Sequence, residues 1–566
     1  MPRRSLIVAA AVLAVAGFGG GIAATNSATP ASTAQAAQTA HATLADNQLP
    51  PPPCHTPPGT TTPVCNTQTA QTQVNTLEST LAFWQANPTE FARSHPGPLD
   101  VADYNLAPLW EEGIDGSGTT VAVIEGWDDP NIAATMASFD AKFHLPAANL
   151  TTIFPNGPLP ATCPAGMVAL GSFGSCDAWE GELTLDVESV HMMAPYANIV
   201  ISATPADSEI NDDAADQVAM PEIMKAVEVI SSQHLANVMS ISDGTGETTY
   251  TFGNEEIKAN SVGELTAAAN GVPVMVATGD CGVLQNLAQA SSQCGDTSLT
   301  PDTATWDDSP WITAVGGSVP DVNSTTGQIV GTDTEWPDSG AGYSSVFAAP
   351  SYQAPEAAKT GATMRSVPDI TMDSHDGTSE ASPSFAGVIA LATQLNGDRD
   401  LGPINPALYA IGPQGSKAGI VDITQGDDSE TVQTTGQEVD GFAAGPGFDV
   451  GSGWGTVNAA NFAPALDKAT RSTSFLAEAE AGNQLAQLEH IHLVKNGSDE
   501  YLLASDFLPM HPVVMSIDGK TIQTLTANEL GAVTFMIDPT TLGLSAGNHT
   551  ISLSSLLVTE TGSFRS

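Results

Sequence analysis

The 566-residue sequence predicts an α/β fold, a parallel sheet with helices on both faces, followed by a small C-terminal β-sandwich. Apolar, β-rich runs recur at GIDGSGTTVAVIEGWDD (from Gly113), LANVMSISDG and GVPVMVATGDCG. Each closes on Gly or Asp turn residues, so these runs read as strands buried on both faces. Helical stretches lie between them, notably ELTLDVESVHMM and PEIMKAVEVISSQH, and such alternation favours a parallel sheet covered by helices. Past residue 470 the pattern shifts to short β-branched segments, PVVMSIDGKTIQTLT, GAVTFMID and NHTISLSSLLV, punctuated by Asp518-Gly519, Asp538-Pro539 and Gly547-Asn548. That spacing suits a β-sandwich over residues 471–566.

The chain opens with MPRRSLIVAAAVLAVAGFGGGIAA, two arginines, an apolar run and then small residues, the arrangement of an export signal over residues 1–36. Cleavage after Ala34-Gln35-Ala36 fits, as does an earlier cut near Ala28, and Arg3-Arg4 leaves the twin-arginine route open. Residues 37–96 read as a Pro/Thr/Gln-rich leader or short propeptide. The stretch from 29 to 75, including Pro50 to Pro53, is too poor in large apolar residues to close a core and is expected to be mostly flexible. No later segment reaches the roughly 18 uninterrupted apolar residues of a membrane span, so a secreted protein without integral membrane association is expected. Cys54 and Cys65, Cys163 and Cys176, Cys281 and Cys294 fall as neighbouring pairs. Nearest-neighbour bridges are favoured among the possible pairings because short loops close most easily.

Asp and Glu number 63 against 15 Lys+Arg, a net charge of −48, which repels phosphate backbones and excludes nucleic acid as a natural partner. With only 15 Lys+Arg and 11 His, self-repulsion in acid is limited. Halophilic or solubilising acidity explains the same composition equally well.

Gly377-Thr378-Ser379 precedes SFAGVIALATQLNG, in which Phe385, Val388, Ile389, Ala392 and Leu395 form one apolar helical stripe. Ser379 therefore sits at a helix N-terminus, where serine is also a common cap. Glu182 and Asp186 are four apart, so on a helix they share one face. On spacing alone, a solvated acidic face explains them better than a proton-sharing pair does. Asp280 follows the strand in GVPVMVATGDCG, where a plain turn residue is the simpler reading.

Taken together, these segments resemble one family. Gly377-Thr378-Ser379-Glu380-Ala381-Ser382-Pro383 with Ala386-Gly387 resembles the nucleophile motif of the subtilisin clan, yet none of the histidines has the setting of a subtilisin base. Gly181-Glu182-Leu183-Thr184-Leu185-Asp186-Val187-Glu188, followed by Ala194-Pro195, resembles the sedolisins, the serine-carboxyl peptidases. So do Gly279-Asp280-Cys281-Gly282, WITAVGGS at 311–318 and Pro368-Asp369-Ile370. The resemblance covers residues 97–465 and implies a subtilisin-like α/β peptidase domain, placed at 97–470. It implies Ser379 as nucleophile, Glu182 as general base and acid, Asp186 as its orienter, and Asp280 as a protonated oxyanion donor. The β-sandwich tail resembles immunoglobulin-like modules appended to secreted bacterial enzymes; stabilising the enzyme is its plainer role, contact with a surface or polymer the other.

The resemblance also implies one Ca²⁺, with carboxylates from Asp422 and Asp449 and backbone carbonyls from Ile423, Gly445 and Gly447, a hard oxygen shell suited to calcium. Glu125, ending VAVIEG, is a candidate auxiliary proton relay. In some sedolisins its partner is an aromatic where this chain has Asp243, a departure that puts the relay in doubt. His191 reads as a helix-end histidine, and Trp127, Trp179 and Trp306 as core or rim residues. The implied activity is hydrolysis of protein or peptide substrates in acid, endopeptidase action being favoured over tripeptidyl-peptidase action. At pH 4 a His of pKa ~6.5 is only about 0.3% neutral, whereas a Glu of pKa ~4.3 is roughly one-third ionised. A secreted binding or adhesion protein on an inactive peptidase fold is the first rival reading; a diverged subtilase using His191 is the second.

Overall fold

The computed structural model describes residues 69–565, apart from internal stretches of which 164–174, 205–214 and 250–256 are the longest, together with short strands at Cys54–His55 and Val64–Cys65. The export signal and most of the leader lie outside the described residues. The two short strands pair antiparallel with Cys54 opposite Cys65.

Eight strands make the central sheet: β1 (Thr120–Glu125), β2 (Asn149–Ile153), β3 (Asn198–Ala203), β4 (Val238–Ile241), β5 (Val274–Ala277), β6 (Thr313–Val319), β7 (Thr334–Glu335) and β8 (Ile370–Asp373). Their order is β7-β6-β5-β4-β1-β3-β2, with β8 also paired to β6. Every pairing is parallel except β6 with β7.

Strand periodicity divides the core in two. Val121, Val123, Ile199, Ile201 and Met275 enter the cluster on one face, whereas Ala122, Ile124, Val200, Val274 and Val276 enter the cluster on the other. Among the described residues, the helices around the sheet include α1 (Ala70–Ala86), α2 (Cys176–Met193), α3 (Ala215–Ser232), α4 (Val262–Ala269), α5 (Thr378–Leu395) and α6 (Ala459–Leu485). On the first face, Leu183, Val187 and Val190 of α2 meet Phe385, Val388 and Ile389 of α5, with Phe462 and Leu466 of α6 behind them. Ile223, Val227 and Ile230 of α3 and Ala267 of α4 cover the second face. Helices thus lie on both faces of a subtilisin-like parallel sheet.

The stretch expected to be mostly flexible, 29–75, ends inside an ordered helix that begins at Ala70. In α1, Thr69 caps the first turn by accepting from the Thr72 amide. Leu77 and Trp84 are buried in the main core, and the Trp84 indole donates to the Phe143 carbonyl at 2.9 Å. Val74, Leu77, Leu81 and Trp84 fall at helical spacing, which supplies the apolar stripe that the Ala/Thr/Gln-rich composition conceals.

Helix α6 runs through residue 470 to Leu485, and its Ala481 packs on Leu265 and Ala268 of α4. Beyond it lie a three-stranded antiparallel sheet (Ile491–Asn496, Asp499–Ala504, Val533–Ile537) and a four-stranded one (Lys520–Thr526, Pro512–Ile517, Asn548–Ser554, Thr559–Arg565). Leu502, Val533, Val513, Met515 and Leu553, drawn from both sheets, share one buried cluster. Among the described residues no helix is long and apolar enough to cross a membrane.

Candidate active site

The carboxyl ends of three adjacent parallel strands converge at one place, as ligand sites of open α/β sheets do. Glu125 ends β1, Ser242 and Asp243 follow β4, and Asp280 follows β5. Because Val121 and Val123 point to the α2/α5 face, the period of two sends Glu125 to that face as well.

Helix α2 contributes Glu182 and Asp186. They lie in the stripe of Leu183, Val187 and Val190 rather than on a solvated face, and both are buried, Glu182 to 2% exposure and Asp186 completely. The solvated acidic face is therefore not what the fold contains. Helix α5 contributes Ser379 in its first turn, after a Gly377 with φ +88°. A Cβ at Gly377 would lie 2.5 Å from Asp280 Oδ2, so glycine is required both by the backbone and by the close approach of that carboxyl.

Burial first, and then the neighbouring Asp186 charge, push Glu182 well above the usual carboxyl range, while a hydrogen bond with Ser379 pulls the other way. Burial raises Asp186 to about 7, against opposing hydrogen bonds with Glu125 and Ser242. The Ser242 hydroxyl donates to Asp186 Oδ2 at 2.9 Å and lies 3.3 Å from the Ser379 carbonyl oxygen, tying α2 to the first turn of α5. Glu125 is fully buried; burial, then the charges of Asp186 and Glu182, raise it well above its ordinary value. Glu125 thus lies beside Asp186, and Ser379, Glu182, Asp186 and Glu125 follow one another as a hydroxyl with a line of carboxyls behind it. Asp243 is also buried, with Oδ1 accepting from the Gly244 amide at 2.7 Å, and burial raises it to about 7. Its charge adds to the raising of both glutamates.

Asp280 is fixed differently. Its Oδ1 accepts from the Thr378 amide (2.8 Å) and hydroxyl (2.7 Å), and the Thr378 hydroxyl in turn accepts from the Gly279 amide at 3.0 Å. Burial raises Asp280 to about 6 against those two bonds, with the Asp338 charge adding to the rise. The protonated acid can donate from Oδ2, which the carboxylate cannot do. The Cys281–Cys294 disulfide closes the loop immediately after it. A second bridge, Cys163–Cys176, packs with Trp127 and Trp179 at the start of α2. Trp306 is buried in the cluster on the opposite face of the sheet.

Chemically, this arrangement offers a hydroxyl nucleophile, a carboxyl positioned to exchange its proton, and an acidic donor beside the same helix turn. His191 has other duties: its Nε2 lies 3.0 Å from the Pro146 carbonyl and from Asp140 Oδ1, nine residues and roughly 13 Å of helix beyond Glu182. Ser242 and Thr378 escaped the sequence reading as bridging residues. Thr378 stood within the Gly-Thr-Ser motif and Ser242 beside Asp243, but no local signal shows which carboxyl either would meet.

Asp422 and Asp449 sit together on loops away from this line, near enough for the Asp422 charge to contribute to raising Asp449, behind burial as the main cause. The Gly447 amide donates to both Asp422 oxygens at 3.1 Å and the Gly445 amide to Asp449 Oδ2 at 2.8 Å. Ile423 is buried beside them. Two neighbouring carboxylates braced by backbone amides, with no lysine or arginine paired to either among the described residues, form a donor set that fits a hard dication.

No family model matches the chain. It is 29% identical to kumamolisin of Bacillus sp. (strain MN-32) over 396 residues, 63% of this chain and 61% of kumamolisin. To tripeptidyl-peptidase 1 of Rattus norvegicus it is 29% identical over 310 residues, 49% of this chain and 50% of the relative. The chain thus spans about half to three-fifths of the length of these curated relatives. In fold it is similar to Pseudomonas sedolisin, a serine-carboxyl proteinase solved with two molecules of pseudo-iodotyrostatin, with a TM-score of 0.52 and 23% identity over 67% of this chain and 98% of that one.

Proposed function

We propose that the chain, similar to kumamolisin, tripeptidyl-peptidase 1 and Pseudomonas sedolisin, belongs to the sedolisin family of the subtilisin clan and is a secreted serine-carboxyl peptidase that cleaves proteins or peptides in acid. The observation that carries the reading is the convergence of the buried Glu182 and Asp186 with Asp280 on the first turn of α5, where Ser242 ties Asp186 to Ser379 and Asp280 accepts from Thr378.

Ser379 Oγ attacks the scissile carbonyl carbon while its proton passes to Glu182. The carbonyl oxygen becomes an oxyanion and accepts a hydrogen bond from protonated Asp280. As the C–N bond breaks, Glu182 returns the proton to the leaving amine and an acyl ester remains on Ser379. Water then attacks the ester with Glu182 again as base, releasing the acid and restoring the serine. Burial raises Glu182, which makes it a stronger base once ionised and a competent acid once protonated. Asp186 orients it, and Glu125 extends the line as a proton reserve.

Asp422 and Asp449, with the carbonyls of Ile423, Gly445 and Gly447, would hold Ca²⁺, which supplies cross-linking of these loops rather than reaction chemistry. The division into residues 97–470 as peptidase unit and 471–566 as a β-sandwich belongs to the same reading, as do endopeptidase action and a stabilising or surface-binding role for the tail.

A pH–rate profile on a denatured protein substrate, wild type beside Ser379→Ala, tests the proposal. Expected are a bell-shaped optimum below neutrality and loss of turnover in the variant. Full activity at pH 8, with Glu182→Gln tolerated, refutes the assignment.

A further inference from the structure

Directly beneath the turn that carries Ser379 lies a second convergence of side chains. His95, Asp100, Asp373 and Glu380 each present one ligand atom, and these atoms all lie within 4.8 Å of one another. They arrive from four places: the chain ahead of the fold, the short helix Pro98–Asp103, the end of β8 and the first turn of α5.

Asp100, Asp373 and Glu380 are 1%, 3% and 1% exposed. The inward atoms, His95 Nδ1, Asp100 Oδ1, Asp373 Oδ2 and Glu380 Oε1, are closed to water and have no hydrogen-bond partner. The outward oxygens are occupied: the Gly97 amide donates to Asp100 Oδ2 at 2.5 Å, and the Asp376 amide to Glu380 Oε2 at 3.1 Å. Backbone donors therefore hold each of these two carboxylates by one oxygen and leave the other aimed at the common centre, as outer-shell bonds do around metal ligands. The His95 ring is held by stacking on His375, with centroids 4.1 Å apart. Its Nδ1 stands 3.0 Å from Asp373 Oδ2 and 3.6 Å from Asp100 Oδ1, near enough to share an ion but not aligned as a hydrogen bond.

With water excluded, ionising all three of these carboxyls leaves negative charge beyond what one imidazole can balance, which is costly to bury unless a cation joins them. Bonds of about 2.0–2.2 Å from one central ion to each ligand put neighbouring ligand atoms about 3.3–3.6 Å apart in a tetrahedron, which a small contraction of this group reaches. One imidazole with carboxylates suits zinc-like ions, whereas calcium prefers oxygen alone. We propose that His95, Asp100, Asp373 and Glu380 bind a divalent transition-metal cation of the zinc class, separate from the Asp422/Asp449 pair. The ion would tie the chain ahead of the fold to the residue immediately following Ser379.

The test is metal binding by the full-length protein at neutral pH, with calcium in excess to fill the oxygen-only site. Wild-type protein is titrated with Zn²⁺ and, for a visible spectrum, with Co²⁺, and then dialysed and assayed for bound metal. About one equivalent of zinc retained per chain, and a cobalt absorption band diagnostic of nitrogen ligation, are expected. His95→Ala should lose both, and Glu380→Gln, which keeps the side-chain shape, should weaken zinc retention at least about tenfold. A wild type that retains no zinc overturns the proposal, as does zinc held equally by wild type and folded Glu380→Gln.

Discussion

Asp280 and Glu182 ask opposite things of their protons. Asp280 must keep its proton to donate, and with its value raised to about 6 that donor disappears as pH climbs through 6. Asp280→Asn replaces it with an amide that donates at any pH while its carbonyl still accepts from Thr378. The variant should keep measurable turnover and move the alkaline limb of its pH–rate profile upward by about one unit; an unmoved limb removes Asp280 from the oxyanion role. Glu182→Gln cannot take the Ser379 proton, so kcat should fall at least about a thousandfold at every pH, measured on the same substrate. At this scale the motif residues were marked by their resemblance to the sedolisin segments, not by spacing or residue type. Ser242 and Thr378 were not, because a hydroxyl's partner is decided by which strand end and which helix turn the fold brings together. The burial of Glu182 and Asp186 was hidden too: the spacing fits a wet face and a dry one equally, and only the stripe formed with Leu183 and Val187 distinguishes them.

Helices α2 and α5 are held at close range by Gly387, where a Cβ would stand 2.5 Å from Met193 Cβ and 3.3 Å from the Val190 carbonyl. Gly387→Ala should force the two helices apart, cost about 1–3 kcal/mol in denaturant unfolding, and lower kcat more than KM because Ser379 and Glu182 sit on the separated elements. An unchanged midpoint and kcat would mean that the interface relaxes freely. Helix α1 shows how far packing can override composition. The Ala/Thr/Gln-rich text to residue 75 reads as a loose leader, but it runs into a helix whose Trp84 indole reaches across to Phe143 and whose Leu77 is fully buried. Trp84→Ala should therefore destabilise the whole fold by about 3–5 kcal/mol, where a flexible leader would show no effect.

Across the whole molecule, buried carboxyls set the response to pH. Asp186 and Asp243 titrate near 7, Asp280 near 6 and Glu264 near 8 in the fold, against about 3.9–4.3 for free carboxyls. Between pH 4 and those values the folded chain holds more protons than the unfolded one, so stability falls as pH rises. With calcium removed by chelator, Tm should be highest near pH 4 and decline toward pH 7; a rise over that interval contradicts the burial argument. The Asp422/Asp449 pair works in the opposite sense, because it must ionise to hold a dication. Excess calcium should raise Tm at pH 7, and that increment should shrink as the pH falls.

The sequence by itself determined the strand–helix alternation, because periodicity is a local property, and its motif resemblance marked Ser379, Glu182, Asp186 and Asp280 as the residues to propose for the chemistry. Tertiary structure alone decided which carboxyls lose their water, which hydroxyls bridge them, and that His95 meets Glu380 beneath the nucleophile turn. Desolvation and proton sharing depend on what closes over a side chain, and residues hundreds of positions apart supply that cover.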